Sequence, residues 1–225
     1  MNKILVLVTN SARLGDSEDN GTYAPELTHA LHVFEQAGYD YELVSILGGN
    51  APIYGLEEDD PVNQAMLADG TLLGAMAATK AVTDITPGDY QAVFYPGGFG
   101  LLNDLAHDTH TAAITAKLYD EGLVVGTVCH GPAGLLEVTL ADGHNIMEGK
   151  TVTCFTRQEE VAYGTIEQIP FVLEDAVTAK ADAFKEVDPW GENVLVQDRL
   201  VTGQNPTSAE GVGREMVKLM SADSG

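Results

Sequence analysis

Three short runs of nearly unbroken apolar residues, Ile4–Val8, Ala92–Tyr95 and Leu123–Val128, constrain this chain more than any other feature. A strand with one wet face alternates apolar and polar residues. A run without alternation has to be covered on both faces. Segments of helical spacing separate these runs. Leu27, Ala30, Leu31, Phe34 and Ala37 recur at helical intervals within Ala24–Ala37, and Gly38 follows as a stop. Thr109–Glu121 reads the same way, with Gly122 after it. Further strands are expected at Tyr41–Leu47, Thr151–Phe155, Phe184–Val187, Val194–Gln197 and Leu200–Thr202, and a closing helix at Ser208–Met220. Strands separated by helices predict an α/β fold, a mainly parallel sheet with helices on both faces. The longest irregular stretch, Gly48–Asp89, contains Pro52, Pro61 and Pro87 and a short helical pattern near Val62–Leu67. It reads as an elaboration over one end of the sheet, so residues 1–225 are expected to form one domain.

Charge narrows the partners. Lys and Arg number 11 against 34 Asp and Glu, a formal net charge of −23. Nucleic acid and anionic membrane surfaces would repel such a chain. With so few cations, the expected substrate is small and neutral, or anionic in one place only. Two cysteines, Cys129 and Cys154, do not make a disulfide scaffold. No apolar run approaches ~20 residues and the first residues read as a strand, so a soluble cytoplasmic protein is expected. The acidity also suits a high-salt host.

The chemistry concentrates where the third apolar run ends. Leu123–Val128 leads straight into Cys129-His130-Gly131-Pro132. A buried strand, then a nucleophile, then a helix start is the layout of a nucleophile elbow. Ligands of open α/β sheets collect at this end of the strands. A cysteine at a helix start has its thiolate favoured, which predicts a lowered thiol pKa. Pro96-Gly97-Gly98-Phe99 follows another strand and offers backbone N–H groups for a developing oxyanion. Glu26 stands in the first turn of the first long helix, where acidic residues are ordinary dipole complements. Beside the elbow and partly desolvated, it would instead exchange protons with substrate. His29 with His32, and His107 with His110, fall short of a zinc-ligand pattern, and no metal is expected.

These segments together resemble the ThiJ/PfpI superfamily, and within it the branch of heat-inducible chaperones and glutathione-independent glyoxalases. The matching pieces span the chain: Gly21-Thr-Tyr-Ala-Pro-Glu26, Phe94-Tyr-Pro-Gly-Gly98, Val128-Cys-His-Gly-Pro-Ala133, Phe155-Thr156 with Glu159-Glu160, Pro189-Trp190, and Leu200-Val-Thr-Gly-Gln-Asn-Pro-Thr-Ser208. The resemblance implies a flavodoxin-like fold of the class I glutamine amidotransferase type, no cofactor and a homodimer. It implies Cys129 as nucleophile, His130 beside it, Glu26 as the acid/base, and Gly97 and Gly98 at the substrate oxygen. A later acidic residue would orient the histidine; by its place after Phe155-Thr156, Glu160 fits best, with Glu159 the runner-up. The implied reaction converts methylglyoxal and related 2-oxoaldehydes to 2-hydroxy acids. A stress-related holding chaperone or redox sensor is the alternative. An amidase or peptidase ranks last, because the tail after Asn205 has no histidine. Phe99 stands where many relatives have histidine, which makes the pocket more apolar.

Overall fold

A computed structural model describes residues 2–57 and 59–222. Its centre is a seven-stranded sheet. From one edge the strands run Val194–Gln197, Leu200–Gly203, Val124–Val128, Ala92–Tyr95, Lys3–Leu7, Asp40–Ser45 and Lys80–Ala81. Every neighbouring pair is parallel except the first, an antiparallel hairpin turned at Asp198 (φ +55°) and Arg199. The three apolar runs lie side by side at the middle of this order.

Period-two geometry sends alternate residues of each strand into different layers. Ile4, Val6 and Val8 join Phe94, Val128 and Val201 under the helices Ala24–Gln36 and Ala209–Ala222. There Leu27, Leu31, Phe34 and Met216 complete a fully buried layer, with Phe34 meeting Phe94 edge to face at 5.6 Å. Leu5, Leu7, Val93, Tyr95 and Val125 face the other way, toward the helix Thr109–Asp120 and the turns that follow the strands. A polar residue at any of these strand positions would be buried unpaired on one face or the other, which is why the runs have no alternation.

The departures from expectation are local. Thr151–Phe155 contributes only the two paired residues Thr151–Val152, in a small parallel sheet with Ala183–Phe184. The rest leaves that ladder to reach the central sheet: Thr153 N–H donates to Thr202 Oγ1 at 3.2 Å, and Phe155 N–H to the Cys129 carbonyl at 2.9 Å. Helices at Thr71–Ala77, Arg157–Tyr163 and Leu173–Thr178 have six or seven residues each, too few to print a period in the sequence. Within 48–89, Ile53–Tyr54 pairs with Thr22–Tyr23, Pro61–Leu67 is helical, and Lys80–Ala81 extends the central sheet itself.

Candidate active site

Cys129 follows the last residue of Val124–Val128 and takes φ +59°, a left-handed conformation rare for any residue but glycine. Two main-chain bonds hold it there. Its N–H donates to the Gly203 carbonyl and its own carbonyl accepts from Phe155, each at 2.9 Å. The chain then enters a 3₁₀ turn, Gly131–Leu135, and not a regular helix. Gly131, Pro132 and Gly134 are poor helix formers, so the short turn is what this sequence allows.

His130 is 1% exposed. Its Nδ1 lies 3.3 Å from Cys129 Sγ, and its Nε2 lies 2.7 Å from Glu160 Oε1. Thr165 Oγ1 donates to the other Glu160 oxygen. Glu160 sits in the helix Arg157–Tyr163, which starts with a full capping box between Thr156 and Glu159. The two adjacent carboxylates therefore do different work. Glu159 accepts from Thr156 N–H and Oγ1 at 3.0 and 2.9 Å on one oxygen. On the other it accepts from Trp190 N–H at 2.9 Å, Gln204 Nε2 at 3.2 Å and Asn205 Nδ2 at 2.8 Å. It balances its burial with hydrogen bonds in place of a cation.

Glu26 enters from the helix Ala24–Gln36, whose first turn has Pro25 and no side-chain cap. The carboxyl is fully buried, and neither oxygen has a hydrogen-bond partner of good geometry. It faces the Cys129 thiol and Gly97. A Cβ on Gly97 would run into the Glu26 carboxyl and Cys129 Cβ, so the close approach requires glycine. Gly98, at φ +125°, turns the loop away, and a Cβ there would strike the Gly21 carbonyl. Among the described residues, the N–H groups of Gly98 and His130 find no protein acceptor.

Burial pushes the Glu26 carboxyl up to about 8, moderated by the nearby thiol and the Gly97 N–H. Burial also pushes the Cys129 thiol up, and the Glu26 charge adds to it. This corrects the lowered value expected from a helix start. The following turn is too short to supply a helix dipole, and desolvation prevails. Glu26 limits the effect. Near neutral pH it keeps its proton, so the charge that opposes a thiolate is missing and a neutral O–H stands beside the sulfur. The protons belong to the pair.

Six aromatic side chains, Tyr23, Tyr54, Phe99, Phe155, Tyr163 and Trp190, wall a cavity of about 230 Å³ over Cys129, with Glu26, His130 and Pro206 also on its surface. Phe99 packs against the His130 ring at 4.6 Å and Phe155 at 4.8 Å. Tyr54 comes from the 48–89 stretch. Burial above all pushes its hydroxyl up and keeps it protonated. Sequence reasoning found the polar floor and Phe99 but missed most of this wall, because its residues are lone aromatics from separate segments. Tyr23, Phe155 and Trp190 had a signal only as members of the matching segments, and Tyr54 and Tyr163 had none. Cys154 is buried and free, away from the cavity wall. No cluster of three or more His, Cys, Asp or Glu among the described residues has metal-binding geometry, and no described helix is long and apolar enough to cross a membrane.

Similar proteins share this whole architecture. The glutathione-independent glyoxalase HSP31 of Saccharomyces cerevisiae is 29% identical over 92% of this chain and 93% of its own. Glyoxalase 3 of Candida albicans is 27% identical, covering 96% and 98%. Among solved structures, Rapid Encystment Protein 24 KDa of Francisella tularensis superposes with a TM-score of 0.92 at 28% identity, covering 98% and 99%. Glyoxalase III of Candida albicans gives 0.80 at 25%, covering 96% of each chain. The profile of the DJ-1/PfpI family matches residues 19–219, and the chain belongs to that family.

Proposed function

We propose that this protein is a glutathione-independent glyoxalase that converts methylglyoxal and related 2-oxoaldehydes to 2-hydroxy acids, with Cys129 as nucleophile. The observation that carries the reading is the sulfur's setting. It lies between a histidine whose far nitrogen meets Glu160 and a carboxyl that keeps its proton near neutral pH. The activity named for the yeast relatives supports the same choice.

The steps balance without an outside oxidant. His130 Nδ1 takes the thiol proton and the sulfur bonds to the aldehyde carbon. The carbonyl electron pair moves to oxygen, which takes the Glu26 proton and leaves a hemithioacetal. The Gly98 and His130 N–H groups are suited to hold that oxygen. Glu26, now a carboxylate, removes the carbon-bound proton while His130 gives the proton it holds to the ketone oxygen, and an enediol forms. Glu26 then passes its proton to the neighbouring carbon and takes the one on the first carbon's hydroxyl, which leaves a 2-hydroxy thioester. Water then cleaves the carbon–sulfur bond, releasing the hydroxy acid and Cys129. The apolar wall excludes bulk water during the proton shift. In this reading the chain is one domain, and 48–89 serves it by closing the pocket with Tyr54.

The test is lactate formation from methylglyoxal, without glutathione or added metal, by wild type, Cys129→Ala and Glu26→Gln. Activity in wild type and a loss of at least about 100-fold in each variant is expected. A well-folded wild type that forms no lactate would overturn the reading. The exposed Val161, Tyr163, Val187 and Trp190 favour the second reading, a holding chaperone. That role would leave suppression of client aggregation intact in Cys129→Ala.

A further inference from the structure

The cavity above Cys129 is larger than methylglyoxal needs. An apolar cavity of about 150 Å³ holds a benzene ring, or about 25 Å³ per heavy atom. At that density methylglyoxal, with five heavy atoms, fills roughly 125 Å³, little more than half of the 230 Å³ present. A phenyl-bearing 2-oxoaldehyde, with ten, fills about 250 Å³. That matches the cavity with the far edge of the ring at the mouth.

The walls suit such a ring in kind as well as in size. Tyr54, Phe99 and Tyr163 form a row, stacked at 6.4 and 6.0 Å with interplanar angles of 30° and 25°. Phe155 and Trp190 meet at 5.7 Å. Trp190 and Tyr163, at 6.1 Å, join the two groups. These are the separations at which aromatic rings attract one another. The polar groups, Glu26, Cys129 and His130, gather at the floor. A substrate polar at one end and aromatic at the other would therefore find both ends matched.

The rim also shows how firmly the main chain at Trp190 is held. Trp190 has φ +67°, a costly conformation for a bulky residue, and its main-chain N–H donates to the fully buried Glu159. It is nevertheless 42% exposed and Tyr163 57% exposed, so both present aromatic surface that a bound ring would cover.

From this geometry we infer that the preferred substrate of the site is an aryl-substituted 2-oxoaldehyde, with Phe99, Tyr163 and Trp190 determining that preference. The inference rests on the glyoxalase reading above and narrows it to one substrate class.

The experiment compares kcat/KM for phenylglyoxal and methylglyoxal in wild type, Trp190→Ala, Trp190→Phe and Tyr163→Ala. The expected wild-type ratio is at least about tenfold in favour of phenylglyoxal, the low end of what one extra methylene brings in an apolar pocket. Trp190→Ala and Tyr163→Ala should each cut that ratio at least threefold, and Trp190→Phe should restore most of it. Intrinsic differences in aldehyde reactivity cancel between variants. Turnover of methylglyoxal with a ratio of one or less, or a ratio that neither alanine variant changes, would overturn the inference while the glyoxalase reading stands. If folded wild type turns over neither aldehyde, the glyoxalase reading fails and binding decides the pocket's preference. Trp190 is the only tryptophan of the chain, so fluorescence of Cys129→Ala reports this rim alone. Titration with 2-hydroxyacetophenone and hydroxyacetone, unreactive neutral analogues, should show at least tenfold tighter binding of the aryl ketone. Equal binding would overturn the inference.

Discussion

Glu26 and Cys129 are a single electrostatic object, and a prediction follows from the carboxyl. At pH below 4.5, its ordinary value, Glu26 is protonated in the folded and the unfolded chain. Between 4.5 and about 8 the unfolded chain releases the proton and the folded chain keeps it, so stability drains as pH rises. Above about 8 the loss levels off. Glu26→Gln removes this dependence, and its stability relative to wild type should rise by about 3 kcal/mol from pH 4.5 to neutrality. Urea midpoints of the two proteins over that range provide the measurement. A gap that stays constant would mean Glu26 does not hold a proton in the fold. In catalysis the same ionisation should impose a decline in kcat/KM above pH 8 that Glu26→Gln lacks over its residual rate. At this scale the sequence was legible where residue type and strand end coincided, as at Cys129 and His130. It gave the wrong sign for the thiol shift, downward where burial drives it up, because burial depth is a property of what surrounds the elbow and not of the elbow itself.

The helix Arg157–Tyr163 is the element on which the site turns. It is only seven residues long and would be marginal alone. Its capping box sets Glu159 toward the Trp190 turn and Gln204-Asn205, and the next residue toward His130. Thr156→Ala should therefore cost about 1 kcal/mol of stability. It should also lower kcat several-fold through the misplaced Glu160, with Thr156→Ser restoring both. Denaturation and steady-state kinetics measured on the same preparations test the link. Intact kcat in a destabilised Thr156→Ala protein would show that the cap is structural only. The long elements were readable within a residue or two, since Ala24–Gln36 repeats its apolar stripe over several turns and Ala92–Tyr95 has the run of a buried strand. Arg157–Tyr163, Leu173–Thr178 and Thr71–Ala77 hold too few turns for a stripe to emerge from composition. Tertiary contacts stabilise them, with a capping box added only at Arg157–Tyr163, and the fold alone reveals these contacts. The same limit explains Thr153–Phe155, whose apolar pattern is that of a strand but whose hydrogen bonds serve the elbow.

Over the whole molecule, 34 acidic side chains against 11 basic ones repel one another in the compact state. The ion pairs relieve this only locally; most lie at the surface, such as Arg214–Glu210 and Lys218–Glu215, and are worth little each. Raising salt from 0.1 M to 1 M shortens the screening length from about 10 to 3 Å. The melting temperature should then rise by at least about 2 °C, equivalent to about 1 kcal/mol for a chain of this size. A melting temperature that is flat or falls in potassium chloride would rule out self-repulsion as the main stress on the fold. The sheet adds a consequence of its own. Cys129 is anchored to Gly203, Glu26 arrives from the first helix, and Gln204 and Asn205 secure the carboxylate that fixes the rim. The reactive centre is thus assembled from contacts far apart along the chain, the kind that form late in folding because their loops must close first. A ribosome-bound or partly unfolded chain carries the cysteine without Glu26, His130 and Glu160 arranged around it. In the proposed reading, catalytic turnover of an aldehyde is therefore a readout of completed folding.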